Sequence, residues 1–160
     1  MRWLVISALL LISTAPAVAA TQVNGSGKFA VWVPDNWKFA MKGERLTAEN
    51  DDLSVLVGPI ADKDADLIDN EVTDFVDEEL DNMKVTSDRR EKMESFDVRL
   101  MDGTARDDEE EEDVTFRALA LSPNTNGSVI EVLIYGTPDA MKKPEIQALA
   151  DRILRSLRPH

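Results

Sequence analysis

Apolar and polar positions along this chain change their period several times, and each change marks an element. Leu4 to Ile12 is an apolar run broken only by Ser7; it follows Met1-Arg2 and leads to the small residues Ala17-Val18-Ala19-Ala20. That is the order of a secretory signal peptide cleaved after Ala19 or Ala20. The run is too short for the roughly 20 residues that a membrane-spanning helix needs. Residues 1–20 are therefore expected to leave and residues 21–160 to form one domain with no membrane insertion.

Past a leader at Thr21 to Gly27, read as flexible, the β-branched and aromatic run Lys28 to Val33 predicts a strand. Pro34-Asp35-Asn36 turns the chain, and a second strand is expected from about Trp37. Arg45 to Ala48 and Leu53 to Ile60 extend this into an antiparallel meander. The period then lengthens: Ile68, Val72, Phe75, Val76, Leu80 and Met83 share one face of a helix predicted over about Asp66 to Asn82. Asp69, Glu71, Asp74, Asp77, Glu78 and Asp81 form its solvent face.

Short runs around Glu91 to Leu100 follow, and Asp102-Gly103 reads as a tight hairpin turn. Val114 to Leu121 and Ser128 to Tyr135 have the strongest strand pattern and should pair as a hairpin across the Ser122 to Gly127 loop. Pro144 opens a final helix whose stripe is Ile146, Leu149, Ala150, Ile153, Leu154 and Leu157. Arg152, Arg155 and Arg158 crowd its C-terminal turns, where positive charge complements the helix dipole. The alternation of strand groups and helices predicts an α+β fold, a central antiparallel sheet flanked by helices.

Charge and composition narrow the compartment and the partners. The formal net charge is −13, and loss of Arg2, the only charged residue of the export segment, takes it to −14. Nucleic acid and anionic lipid are disfavoured as partners, because both are bound through clusters of lysine and arginine. The chain has no cysteine, so neither a disulfide nor a lipid-anchoring thiol is available. A bacterial periplasmic or extracellular setting fits an export signal without a disulfide framework. Asn24-Gly25-Ser26 and Asn126-Gly127-Ser128 match the glycosylation pattern and read as turns.

Three stretches together resemble the PsbP-like α/β/α sandwich superfamily: the early strand running into Val33-Pro34-Asp35-Asn36-Trp37, the acidic helix around Thr73-Asp74-Phe75-Val76, and the closing Ile153-Leu154-Arg155-Ser156-Leu157 helix. That superfamily includes an extrinsic subunit of photosystem II, a Ran-binding nuclear import factor and many exported bacterial proteins. The resemblance implies an α/β/α sandwich used for binding and assembly, with no shared catalytic residue to carry over.

The sharpest chemical feature is Asp107-Asp108-Glu109-Glu110-Glu111-Glu112-Asp113, seven consecutive carboxylates. Mutual repulsion favours a mobile, solvated loop, and the block is also the candidate site for a basic protein partner or for calcium. It lacks the glycine, the asparagine and the alternating ligand positions of an ordered calcium loop. Asp62-Lys63-Asp64-Ala65-Asp66 begins like an EF-hand, but Leu67 stands where glycine must bend the chain and Thr73 where a glutamate should close the site. These acids suit a helix start.

Catalytic candidates are few: His160, the only histidine, is the last residue, and no cysteine nucleophile exists. A hydrolase built on paired carboxylates would need a cleft that raises the pKa of one acid. Trp32 and Trp37 flank the first turn and read as packing residues rather than as an aromatic binding surface. The expectation is an exported, non-enzymatic binding or assembly domain with no cofactor, contacting an envelope or secreted protein of basic surface. Calcium binding at Asp107 to Asp113 is the alternative, ahead of the hydrolase.

Overall fold

The structure, a computed structural model, describes residues 20–25, 28–60, 68–93, 96–123 and 129–159. Residues 1–19, where an export signal is expected, the acids at Asp62, Asp64 and Asp66, the loop at 124–127 and His160 lie outside the described residues.

Two antiparallel sheets account for most of the fold. The larger has seven strands in the order β3-β4-β5-β9-β8-β7-β6. They are β3 (Lys38–Lys42), β4 (Arg45–Glu49), β5 (Ser54–Pro59), β6 (Asp81–Met93), β7 (Phe96–Asp107), β8 (Glu112–Pro123) and β9 (Ile130–Gly136). The smaller joins β1 (Ala20–Gly25), β2 (Phe29–Pro34) and β10 (Arg158–Pro159), with β2 in the middle. Helix α1 (Ile68–Glu79) connects β5 to β6, and α2 (Pro138–Met141) and α3 (Pro144–Ser156) follow β9.

Side chains alternate across the large sheet and build two cores. On one face Leu46, Val55, Val132, Leu119 and Val98 pack against Phe29, Val31 and Val33 of β2 and against Ile146, Ile153 and Leu154 of α3. On the other, Leu56, Leu133, Ala118, Phe116 and Met101 lie under Val72, Phe75 and Val76 of α1 and the Leu80 that follows it. Strand β9, central and covered on both faces, is therefore almost continuously apolar, and even its Glu131 is buried.

The sheet-dominated α+β fold is as the sequence predicts, but the layers differ from a helix/sheet/helix sandwich. One side is closed by α1 alone, whereas the other is closed jointly by α3 and the three-stranded sheet. Thr21 to Gly25 is not a leader: it pairs with β2 from Thr21↔Val33 to Gly25↔Phe29. Asp102-Gly103 is not a turn either, since both residues sit inside β7. Gly103 is there for space. A Cβ on it would stand 2.5 Å from the Lys84 carbonyl oxygen and 2.6 Å from the Phe116 ring. Helix α1 ends at Glu79, and Asn82, the second residue of β6, has a φ of 53.

Candidate functional site

The carboxylate block forms the end of the β7–β8 hairpin. Asp107 is the last residue of β7 and pairs with Glu112, the first of β8, so only 108–111 are turn. Asp107 is 9% exposed, and its Oδ1 accepts from the Glu109 and Glu110 amides at 3.0 and 3.3 Å. Glu111 takes a φ of 57, and its carbonyl accepts from Arg106 at 2.9 Å, which ties the far side of the turn. Arg106 also stands 3.6 Å from both Asp108 and Asp113. The block is thus an organised hairpin end rather than a loop of seven equivalent charges.

Packing brings this hairpin end beside the C-terminus of α1. Together they wall a groove of about 440 Å³ lined by Glu49, Asp77, Glu78, Glu79, Asp81, Asp107, Asp108 and Glu109, with Thr47, Ser54 and Tyr135 among its other residues. A second depression, of about 340 Å³, shares Glu49, Ser54, Asp107 and Tyr135 and adds Asp51, Asp52, Glu110 and Glu112. Five of the seven block residues therefore border the acidic surface. Asp113 lines a separate depression with Arg106, and Glu111 borders none of the three.

Several local effects concentrate negative charge here. Helix α1 carries no basic residue in its last turn, so its partial negative end adds to Glu78 and Glu79. Arg45 of β4 supplies the missing cation. Its guanidinium reaches Glu79 at 2.5 Å and Glu78 at 3.3 Å and lies 4.8 Å from the Phe75 ring centre. Across the groove Asp81 and Asp108 share a hydrogen bond and repel as like charges, which holds the Asp81 carboxyl above the usual carboxylate range. Burial, reinforced by the nearby negative Asp107, pushes the Tyr135 phenol up against the lowering effect of its hydrogen bond with Ser54. Tyr135 therefore remains a neutral hydroxyl beside the carboxylates.

A surface of this kind holds positive charge. Asp81 is exposed, and a like-charged neighbour is the main cause of its shift, so it lacks the dry pocket in which a general acid is poised. Among the described residues no group of three or more histidine, cysteine, aspartate or glutamate side chains is placed to hold a metal ion. Sequence pattern located the block but not its partners. Asp77, Glu78 and Asp81 read only as a solvated helix face, and nothing in the sequence placed Glu49 or Tyr135 beside them.

Of the two tryptophans, Trp37 is 5% exposed and belongs to the larger core, as its packing reading requires. Trp32 is half-buried at the surface, with the Arg152 guanidinium 3.9 Å from its ring centre.

No protein-family model matches the chain, and no curated protein matches its sequence. Solved structures do. The solution structure of cyanobacterial PsbP from Synechocystis sp. is similar with a TM-score of 0.62 at 12% identity, over 92% of this chain and 96% of that one. The Ran-binding protein Mog1p of Saccharomyces cerevisiae gives 0.57 at 9% identity, over 89% and 96%. LpqN of Mycobacterium tuberculosis, described as involved in cell envelope biogenesis, gives 0.54 at 13% identity, over 87% and 89%. Identities this low speak for architecture alone: this chain shares its fold with cyanobacterial PsbP, Mog1p and LpqN, as the sequence resemblance implies.

Proposed function

We propose that this protein is an exported, non-enzymatic binding domain whose acidic groove receives a basic segment of an envelope or secreted protein. One observation carries the reading: Asp77 to Asp81, Asp107 to Glu109 and Glu49 come from three separate parts of the chain and converge on one groove. The shared fold supports a binding role, since Mog1p is a Ran-binding protein, and the envelope connection of LpqN agrees with the export signal at residues 1–20. No helix among the described residues is long and apolar enough to cross a membrane.

The test is titration with an oligolysine peptide at low and at high salt, using the native protein and the triple variant Asp77→Asn, Asp81→Asn, Asp108→Asn. Binding should weaken with salt as screening shortens the reach of the charges. The triple variant should lose about tenfold, or ~1.4 kcal/mol. Glu111→Gln, outside the groove, should bind like the native protein. Equal losses in both variants would reduce the interaction to net charge and refute the groove.

A further inference from the structure

The acidic groove borders a sheet edge, β3, which among the described residues carries no strand on its outer side and is protected only by its shortness and by Lys38 and Lys42 at its ends. Among the described residues β3 pairs only with β4, leaving its other side open, and all five of its residues are exposed. Phe39 is 49% and Met41 40% exposed, and they are two of only three large apolar residues so exposed among the described residues. The opposite edge, β6, is treated differently. Its pairing with β7 is interrupted by two register shifts and by the positive φ of Asn82, devices that block the approach of another strand. Strand β3 pairs with β4 in unbroken register.

The two faces of β3 differ in chemistry. Phe39 and Met41 pair with Ala48 and Leu46, which face the larger core, so they continue that apolar face to the rim of the sheet. Lys38, Ala40 and Lys42 project on the other face, beside Glu49, Thr47 and Arg45. Lys42, Thr47 and Glu49 also line the acidic groove. Ala40, the small residue between two lysines, is therefore a low sill leading across Thr47 to the carboxylates.

We propose that β3 accepts an extended segment of the partner as an added strand, carrying a basic residue opposite Ala40 with an apolar residue on each side of it. The inference rests on the acidic groove as the binding site and adds the conformation and pattern of what binds there. An added strand lies about 5 Å from β3 and sends alternate side chains to opposite faces. Its two apolar residues then cover Phe39 and Met41. Its central lysine or arginine extends over Ala40 toward Glu49, Asp77 and Glu78. A basic residue opposite Lys38 or Lys42 would meet like charge, which fixes the register. A second copy of β3 is disfavoured: centred on Ala40, it sets Lys38 against the copy's Lys42 and places alanine, not a basic residue, opposite Ala40.

The probe is a blocked peptide with a Val-Arg-Val core flanked by serines, followed by amide chemical shifts of the protein. Shifts should concentrate on residues 38–42, 47 and 49. N-methylation of the peptide's valine nitrogens, which keeps the charge but removes strand hydrogen bonds, should weaken binding at least tenfold. Phe39→Ser with Met41→Ser should weaken the peptide severalfold and leave oligolysine binding unchanged. If the N-methylated peptide binds as well as its parent, strand addition is refuted while the groove stands. If neither the peptide nor oligolysine binds, both ideas fall. A concentration-dependent dimer abolished by Phe39→Ser would make a second copy the occupant and overturn the proposal.

Discussion

Trp32 and Trp37 flank one turn, yet their replacement by alanine should have very different consequences. Trp37 follows the Pro34 turn, its amide donates to the Pro34 carbonyl at 3.1 Å, and its ring is 5% exposed in the larger core. Truncating a buried aromatic of this kind costs about 3 to 5 kcal/mol in lost transfer energy and residual cavity. In a domain of this size that corresponds to a fall in Tm of about 10 to 15 °C. Trp32 keeps one face toward the surface, where the Arg152 guanidinium covers it at 3.9 Å. The cation–π contact is worth about 0.5 to 1 kcal/mol. Adding the partly buried ring brings Trp32→Ala to about 1 to 2 kcal/mol. Arg152→Ala should overlap with Trp32→Ala rather than add to it. Urea unfolding, followed by circular dichroism, measures the native protein, the three single variants and the Trp32→Ala, Arg152→Ala double variant. A chain prepared as residues 21–160 omits Trp3 and emits from these two tryptophans alone. Trp32→Phe should therefore leave a blue-shifted, poorly quenched spectrum and Trp37→Phe an exposed one. Equal costs, or a larger cost at Trp32, would refute the placement of both rings.

Gly103→Ala should destabilise more than Gly43→Ala, because its new Cβ meets the Lys84 carbonyl and the Phe116 ring, whereas Gly43, at φ +64, has open space around it. Gly43→Ala pays only for its left-handed backbone, about 1 kcal/mol; a thermal melt in which the order reverses would contradict the strand placement of Gly103. Asp108→Asn should raise Tm at neutral pH by relieving Asp81, whose raised pKa means that the folded state holds its proton more tightly than the unfolded state. That linkage makes the native pair destabilising once pH rises above the folded pKa, so the gain should fade as pH falls into the carboxylate range; a gain that persists there would rule out the like-charge pair as its cause.

The elements that were legible in sequence are those whose burial is one-sided and regular. Helices α1 and α3 show it at helical spacing, and β8 and β9 by their dense apolar content. Strand β6 was not legible because it is an edge strand exposed along most of its length, so its sequence DNMKVTSDRREKM carries almost no alternation. Strand β7 was cut short because Asp102-Gly103 has the residues of a turn, while the real constraint on Gly103 is the space taken by Lys84 and Phe116. The acidic block stood out at once, but the groove is a tertiary object. Its second wall is the end of α1, and Glu49 joins it only because β5 pairs with β9 and carries β4 on its other side.

The ends of the described chain meet: Ala30 and Phe29 of β2 pair with Arg158 and Pro159 of β10, while β1 pairs with the other side of β2. Helix α3 and the Leu157 that follows it close the larger core over β2, from the opposite end of the described chain. Such a contact is among the most distant in sequence that the chain can form, and its entropy of closure is met only when everything between has been laid down. A growing chain therefore offers its later residues no finished core to dock on. The larger core is therefore not closed until the chain has been made as far as Leu157.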